Sequence, residues 1–234
     1  MPASAEQPAP RVDAPHPWRP ASVVFLAVSL AALAAGAFPE WFLPPDRARE
    51  FAAPPAMGLM LAAQVTFVLL FCALLIRRRD ERPVGRYLVD SVVEYAVLVA
   101  ASVPLYVLAA WLSDGAARDV ARCLLYLTAV VAAAWGLAQW ADPRRPAFMT
   151  AVALVAAAVA LGGPVACYLL AELADSPPGA AWLRRAAPAV FAVGLAGRGP
   201  GLLPQPLWAW LLWPAAGALA AVARTLVPRG APGT

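Results

Sequence analysis

Apolar residues in this chain neither alternate nor recur singly; they run in long blocks. Residues 22–38, 56–76, 87–112, 120–140, 148–173 and 207–227 are almost wholly apolar, and short segments between them hold most of the prolines, arginines and acids. About 20 apolar residues let an α-helix cross about 30 Å of hydrocarbon, and inside that layer a helix satisfies its own backbone N–H and C=O groups. The pattern therefore predicts an all-α fold, a polytopic transmembrane helix bundle of about six spans. A further apolar piece, 188–195, is too short to cross and is bracketed by Arg184, Arg185 and Arg198 among glycines and prolines. The section 174–206 is accordingly expected to form a re-entrant or interfacial hairpin before the last span.

Breaker residues divide the blocks further. Span three can kink at Pro104 and ends in the polar turn Ser113-Asp114-Gly115, while span five carries Gly162-Gly163-Pro164, where a missing backbone donor breaks or bends a helix. Residues 39–55 mix prolines, charges and aromatics, a composition suited to the outer interface. The first 20 residues contain six prolines and too little apolar content for a core, so they are expected to be a flexible cytoplasmic tail. The domain reading is thus a tail at 1–20, a membrane domain at 21–227 and a short cytoplasmic tail at 228–234.

Composition changes the picture by excluding a soluble protein. The 234 residues are 62% hydrophobic and 14% charged, with a mean hydropathy of +0.68; soluble domains carry about 25% charged residues. The net charge of +4 is carried by arginines alone, at the ends of apolar blocks rather than along one polar face, which points to membrane orientation and not to nucleic acid. Arg77, Arg78, Arg79, Arg82 and Arg86 fall within ten residues after span two. Arginine is costly to translocate, so that loop stays cytoplasmic. Both termini are then inside, with eleven of the 18 arginines on the inner segments, and the expected location is the bacterial cytoplasmic (inner) membrane.

The missing residue types exclude chemistry. With no lysine the chain cannot form a Walker A loop. The sole histidine, His16, lies in the tail, which leaves no span with bis-histidine haem, Ser-His or Zn-His ligation. Cys72, Cys123 and Cys167 sit in three different spans without CxxC spacing and are expected to be packing residues. We therefore expect no catalytic residue, cofactor or metal site.

The intramembrane candidates are Asp90 and Glu94, which share a helix face at i, i+4 spacing. Ionisable groups in a span are functional suspects by default, although Arg86, four residues before Asp90, offers it a plain ion pair at the interface. Gln64 and Gln139 are expected to hydrogen-bond between helices. The nine tryptophans, mainly near span ends, are expected to form an aromatic belt.

Six blocks, cytoplasmic termini, the charged stretch Ile76-Arg77-Arg78-Arg79-Asp80-Glu81-Arg82 and the broken segment before span six together resemble the permease subunits of type-two ATP-binding-cassette exporters, including the haem-exporter permease of cytochrome c maturation. The stretch Leu203-Pro204-Gln205-Pro206-Leu207-Trp208, continuing through Pro214 to Arg224, is similar to that family's Leu-Pro before the last span, proline within it and basic end. Gly162-Gly163-Pro164 falls where the family breaks span five. The family's Gly-Thr coupling segment is absent after Pro83-Val84-Gly85-Arg86. The resemblance implies a permease without an active site of its own. A separate ATPase would dock on Arg77, Arg78, Arg79, Arg82, Arg86, Arg144 and Arg145, with spans two and five lining the interface between two permease halves. The partners expected are this ATPase or a larger respiratory or photosynthetic membrane complex, a second copy of the chain, and the lipid bilayer.

Overall fold

The computed structural model describes residues 18–41, 44, 56–75, 84–112, 116–138, 146–172, 183, 185–195 and 207–226. Every apolar block is helical: α1 (Trp18–Ala37), α2 (Ala56–Leu75), α3 (Val84–Leu112), α4 (Ala117–Ala138), α5 (Pro146–Ala157), α6 (Gly163–Glu172), α7 (Pro188–Leu195) and α8 (Leu207–Leu226). The expected boundaries of the six blocks and of the short 188–195 piece are met to within a few residues. Among the described residues, three helical segments are long and apolar enough to cross a membrane: Tyr95–Leu112, Ala117–Leu137 and Thr150–Leu170. Ser22–Ala37, Ala56–Phe71 and Trp210–Ala220 are shorter apolar stretches.

The bundle is built around α2. It packs against α1, α3, α4, α5 and α7, and from Ala56 to Phe71 none of its residues is exposed. Its neighbours each offer it a stripe at helical spacing: Phe25, Ser29 and Leu33 on α1; Leu98, Ser102 and Tyr106 on α3; Cys123, Leu127 and Val130 on α4. Over Ala56–Phe71, α2 thus lies inside the bundle, whereas α5 and α6 leave more of their surface open.

Outside and inside are inverted relative to a water-soluble protein. Large apolar side chains point outward, as with Val23 (67% exposed), Leu125 (62%) and Leu154 (64%), whereas Ser29, Gln64 and Ser102 expose nothing. In water such a surface would drive aggregation; in hydrocarbon it is the surface of lowest energy.

Two interruptions mark the second half. α5 passes into α6 through a π-helical turn at Ala158–Gly162. Pro164 has no N–H to give the carbonyl of Ala160 and its ring crowds that carbonyl, and a wider turn immediately before it relieves both faults. The interruption expected at Gly162-Gly163-Pro164 is thus a change of register within a helix that continues to Glu172. α7 follows a bend at Ala187 and is deeply buried between α2, α4 and α6 through Pro188, Ala189, Phe191, Ala192 and Leu195. By contrast α3 runs through Pro104 as one helix, with that proline exposed on its surface.

Candidate functional site

Two features of the interior carry specific geometry, one on each side of α2. The first is polar. Gln64 Nε2 donates to Ser29 Oγ (3.1 Å) and to Ser102 Oγ (3.3 Å), and Tyr106 Oη donates to Gln64 Oε1 (2.7 Å). Each serine hydroxyl spends its own proton on the carbonyl four residues earlier, Ser29 on Phe25 (2.7 Å) and Ser102 on Leu98 (2.8 Å). The serines can therefore only accept from Gln64, which fixes the orientation of its amide. With both amide protons and the carbonyl engaged, the group joins α1, α2 and α3 inside hydrocarbon, where an unmade hydrogen bond has no water to replace it. Gln64 thus plays the inter-helical role expected of it; Gln139 lies outside the described residues.

The second feature is where the interrupted helices meet. A Cβ added at Gly163, the first residue of α6, would lie 2.8 Å from the Cβ of Ala187, at the bend before α7. On the other side of α7, Phe191 closes a triangle with Tyr126 of α4 and Trp210 of α8: the ring centroids are 4.8 Å apart for Tyr126–Phe191, 6.0 Å for Tyr126–Trp210 and 5.8 Å for Phe191–Trp210, the last two edge to face. Tyr126 Oη also donates to the Pro188 carbonyl over a long 3.4 Å. α7 is too short to hold its place by itself, and these aromatic rings clasp it to the α4–α8 pair.

That pair is locked by glycine. A Cβ on Gly136 would collide with the Gly217 carbonyl and lie 2.7 Å from Gly217 Cα, and one on Gly217 would lie 2.6 Å from Ala133 Cα. α4 and α8 therefore touch backbone to backbone, the small-residue packing by which helices associate without a hydrophobic driving force. Gly36 meets Ala56 in the same way between α1 and α2.

The sequence-derived candidates fare unevenly. Arg77, Arg78, Arg79, Arg82, Arg144 and Arg145 lie outside the described residues. Arg86, Asp90 and Glu94 lie on α3 one turn apart along one face, and their side chains lie outside the described residues. Cys123 and Cys167 are buried and neither forms a disulfide among the described residues, and Cys72 lies outside the described side chains. Of the tryptophans, Trp41 (70% exposed) and Trp111 (77%) fit an aromatic belt, whereas Trp135, Trp210 and Trp213 pack inward against the core. Ser29, Ser102 and Tyr106 were missed as partners of Gln64. The available signal was that Ser29, Gln64 and Ser102 are each a hydrogen-bonding residue well inside an apolar block.

Taken together, the apolar exterior, the helices long and apolar enough to span and the satisfied Gln64 group define an integral membrane protein of the helical-bundle class. No family model, curated protein or solved structure matches the chain.

Proposed function

We propose that this chain is the membrane-spanning, permease-like subunit of an ATP-driven export complex, with ATP hydrolysis supplied by a separate chain. One observation carries the reading: two interrupted helices meet inside the bundle, the π turn before α6 and the bend before α7, at Gly163 and Ala187. Discontinuous helices within a membrane domain are a recurrent feature of transport sites, where packing can change without breaking a continuous helix. In this reading six helices cross the bacterial inner membrane with both termini cytoplasmic, and the 174–206 section carries α7 as a re-entrant element. The loops 77–86 and 142–147 then face the ATPase, their arginines meeting acidic residues on it, and a second copy of the chain completes the transporter.

The test is purification from native membranes followed by mass spectrometry of the retained chains. An ATPase subunit is expected in the wild-type complex and lost when Arg77, Arg78, Arg79 and Arg82 are all changed to glutamine. Survival of both ATPase association and membrane orientation in that variant would remove the docking role. A second reading, a non-catalytic accessory or scaffolding subunit of a larger respiratory or photosynthetic complex, draws support from the fully engaged Gln64 group and the glycine-locked α4–α8 pair, which suit a rigid spacer. It predicts electron-transfer chains among the retained partners in place of an ATPase.

A further inference from the structure

The two glycines at the π turn stand in opposite surroundings. Gly163 is pressed against Ala187, so a Cβ there would come within 2.8 Å of the alanine methyl. Gly162, its neighbour, has no atom within 4 Å of where its Cβ would be. Packing in the present arrangement requires a glycine at 163 and does not require one at 162.

A π turn accommodates one residue more than the α-helical turn it replaces. If it were resorbed, each residue of α6 would take the place now held by the residue after it, a rotation of about 100° and an advance of about 1.5 Å away from α5. Gly162 would then stand where Gly163 stands, against Ala187. Two further positions of the α6 face repeat the correspondence: Cys167 is buried and Leu170 half-buried in the present register, and they would be replaced by Ala166 and Leu169, a small residue for a small residue and a leucine for a leucine. At the half-buried places of Pro164 and Ala166 the incoming residues would be Gly163 and Val165, a loss of a ring and a gain of two methyl groups. The sequence of α6 thus presents matching residues at three of its five packed positions in two registers one residue apart.

The surroundings permit the change. α5 packs on α2, whereas α6 packs on α7, so the two halves of this span belong to different neighbours. Pro164 opposes the α register by withholding a donor from Ala160 and crowding its carbonyl, while the gain of regular helix favours it. We infer that the π turn at Ala158–Gly162 is a register switch, resorbed and re-formed by a one-residue rotation of α6 against α7 about the Gly162/Gly163–Ala187 contact. As the moving element of a transport cycle it rests on the permease reading; as a conformational equilibrium of this chain it does not, and the two fail separately.

The test uses the full chain in lipid nanodiscs, with spin labels on genetically encoded keto amino acids at Val107 of α3 and Tyr168 of α6, both exposed. The native cysteines then remain in place. A side chain about 5 Å from its helix axis moves by roughly 7–8 Å on a 100° rotation. Pulsed electron–electron resonance should resolve two distances for the wild type. Pro164→Ala, which restores the donor, and Gly163→Ala, which the present register cannot seat, should each shift the population toward the second distance. Gly162→Leu, which has open space now but would collide with Ala187 after rotation, should retain the first distance only. A label pair at Val107 and Leu154, before the turn, should not move in any variant. A single wild-type distance left unmoved by both Pro164→Ala and Gly163→Ala overturns the switch, as does an equal shift at Leu154. Loss of the ATPase partner would count against the permease reading and leave these distances unaffected.

Discussion

Tyr106 donates its phenolic proton to Gln64 Oε1 over 2.7 Å at a place where neither side chain exposes any surface. The bond joins α3 to α2, and each partner is the other's only means of satisfying that atom within the Gln64 group. Tyr106→Phe strands a carbonyl oxygen and Gln64→Leu strands a hydroxyl. Each single change is expected to cost about 0.5–2 kcal/mol. The double variant, which strands neither, should cost less than the sum of the two. Reversible unfolding in mixed micelles measures all three, and strict additivity would show that the bond contributes nothing beyond packing.

The glycines should rank by what their missing Cβ would meet. Gly136→Ala and Gly217→Ala force the α4 and α8 backbones apart and are expected to destabilise by about 1–3 kcal/mol, the usual penalty of overpacking. Gly36→Ala belongs with them, because its Cβ would fall 2.6 Å from Ala56 Cα. Gly162→Ala meets open space and should be neutral or stabilising by up to about 1 kcal/mol through helix propensity. A thermal shift series in detergent orders the four, and a loss at Gly162 equal to that at Gly217 would contradict the geometry.

For the clasp on α7, ring burial should outweigh the hydroxyl. Phe191 exposes 1% of its surface and faces two aromatic rings, so Phe191→Ala is expected to cost about 3–5 kcal/mol. Tyr126→Phe keeps the ring and loses the 3.4 Å hydrogen bond to the Pro188 carbonyl, which is expected to cost under about 1 kcal/mol. The same unfolding assay distinguishes them, with the alanine variant at least twofold more destabilised.

At the start of α4, Asp119 reaches back so that the Ala116 N–H donates to its Oδ2 (3.3 Å), while Arg118 and Arg122 both stand 3.7 Å from its other oxygen with largely exposed side chains. The reach from the third helical position to the residue before the helix is a cap, and loose exposed ion pairs contribute little. Asp119→Asn should therefore retain most of the stability that Asp119→Ala loses, about 0.5–1 kcal/mol. Raising the salt concentration should change the wild-type value only slightly. A strong salt dependence would transfer the credit from the cap to the arginines.

Much of the architecture was legible from residue order alone because hydrocarbon imposes a simple demand: backbone groups must bond within their own segment, so apolar blocks of sufficient length become helices and their ends carry the charge. That suffices to locate α1 to α8, the interruption at Gly162-Gly163-Pro164, the shortness of α7 and the inter-helical role of Gln64. Its reach ends at neighbours. Nothing in the order of residues says that α2 rather than α5 is enclosed, that Ser29 and Ser102 converge on Gln64 from 35 and 38 residues away, or that Trp210 turns inward to Phe191 while Trp111 turns out. These are contacts between segments of similar apolarity, and in such a medium their choice rests on local shape, on glycine gaps and on the few hydrogen bonds available. Residue order thus establishes a helical membrane protein and the points at which its helices begin and break. Which break meets which, Gly163 against Ala187 with Gly162 left open, is settled by three-dimensional packing, because that depends on the distance between segments and composition carries none.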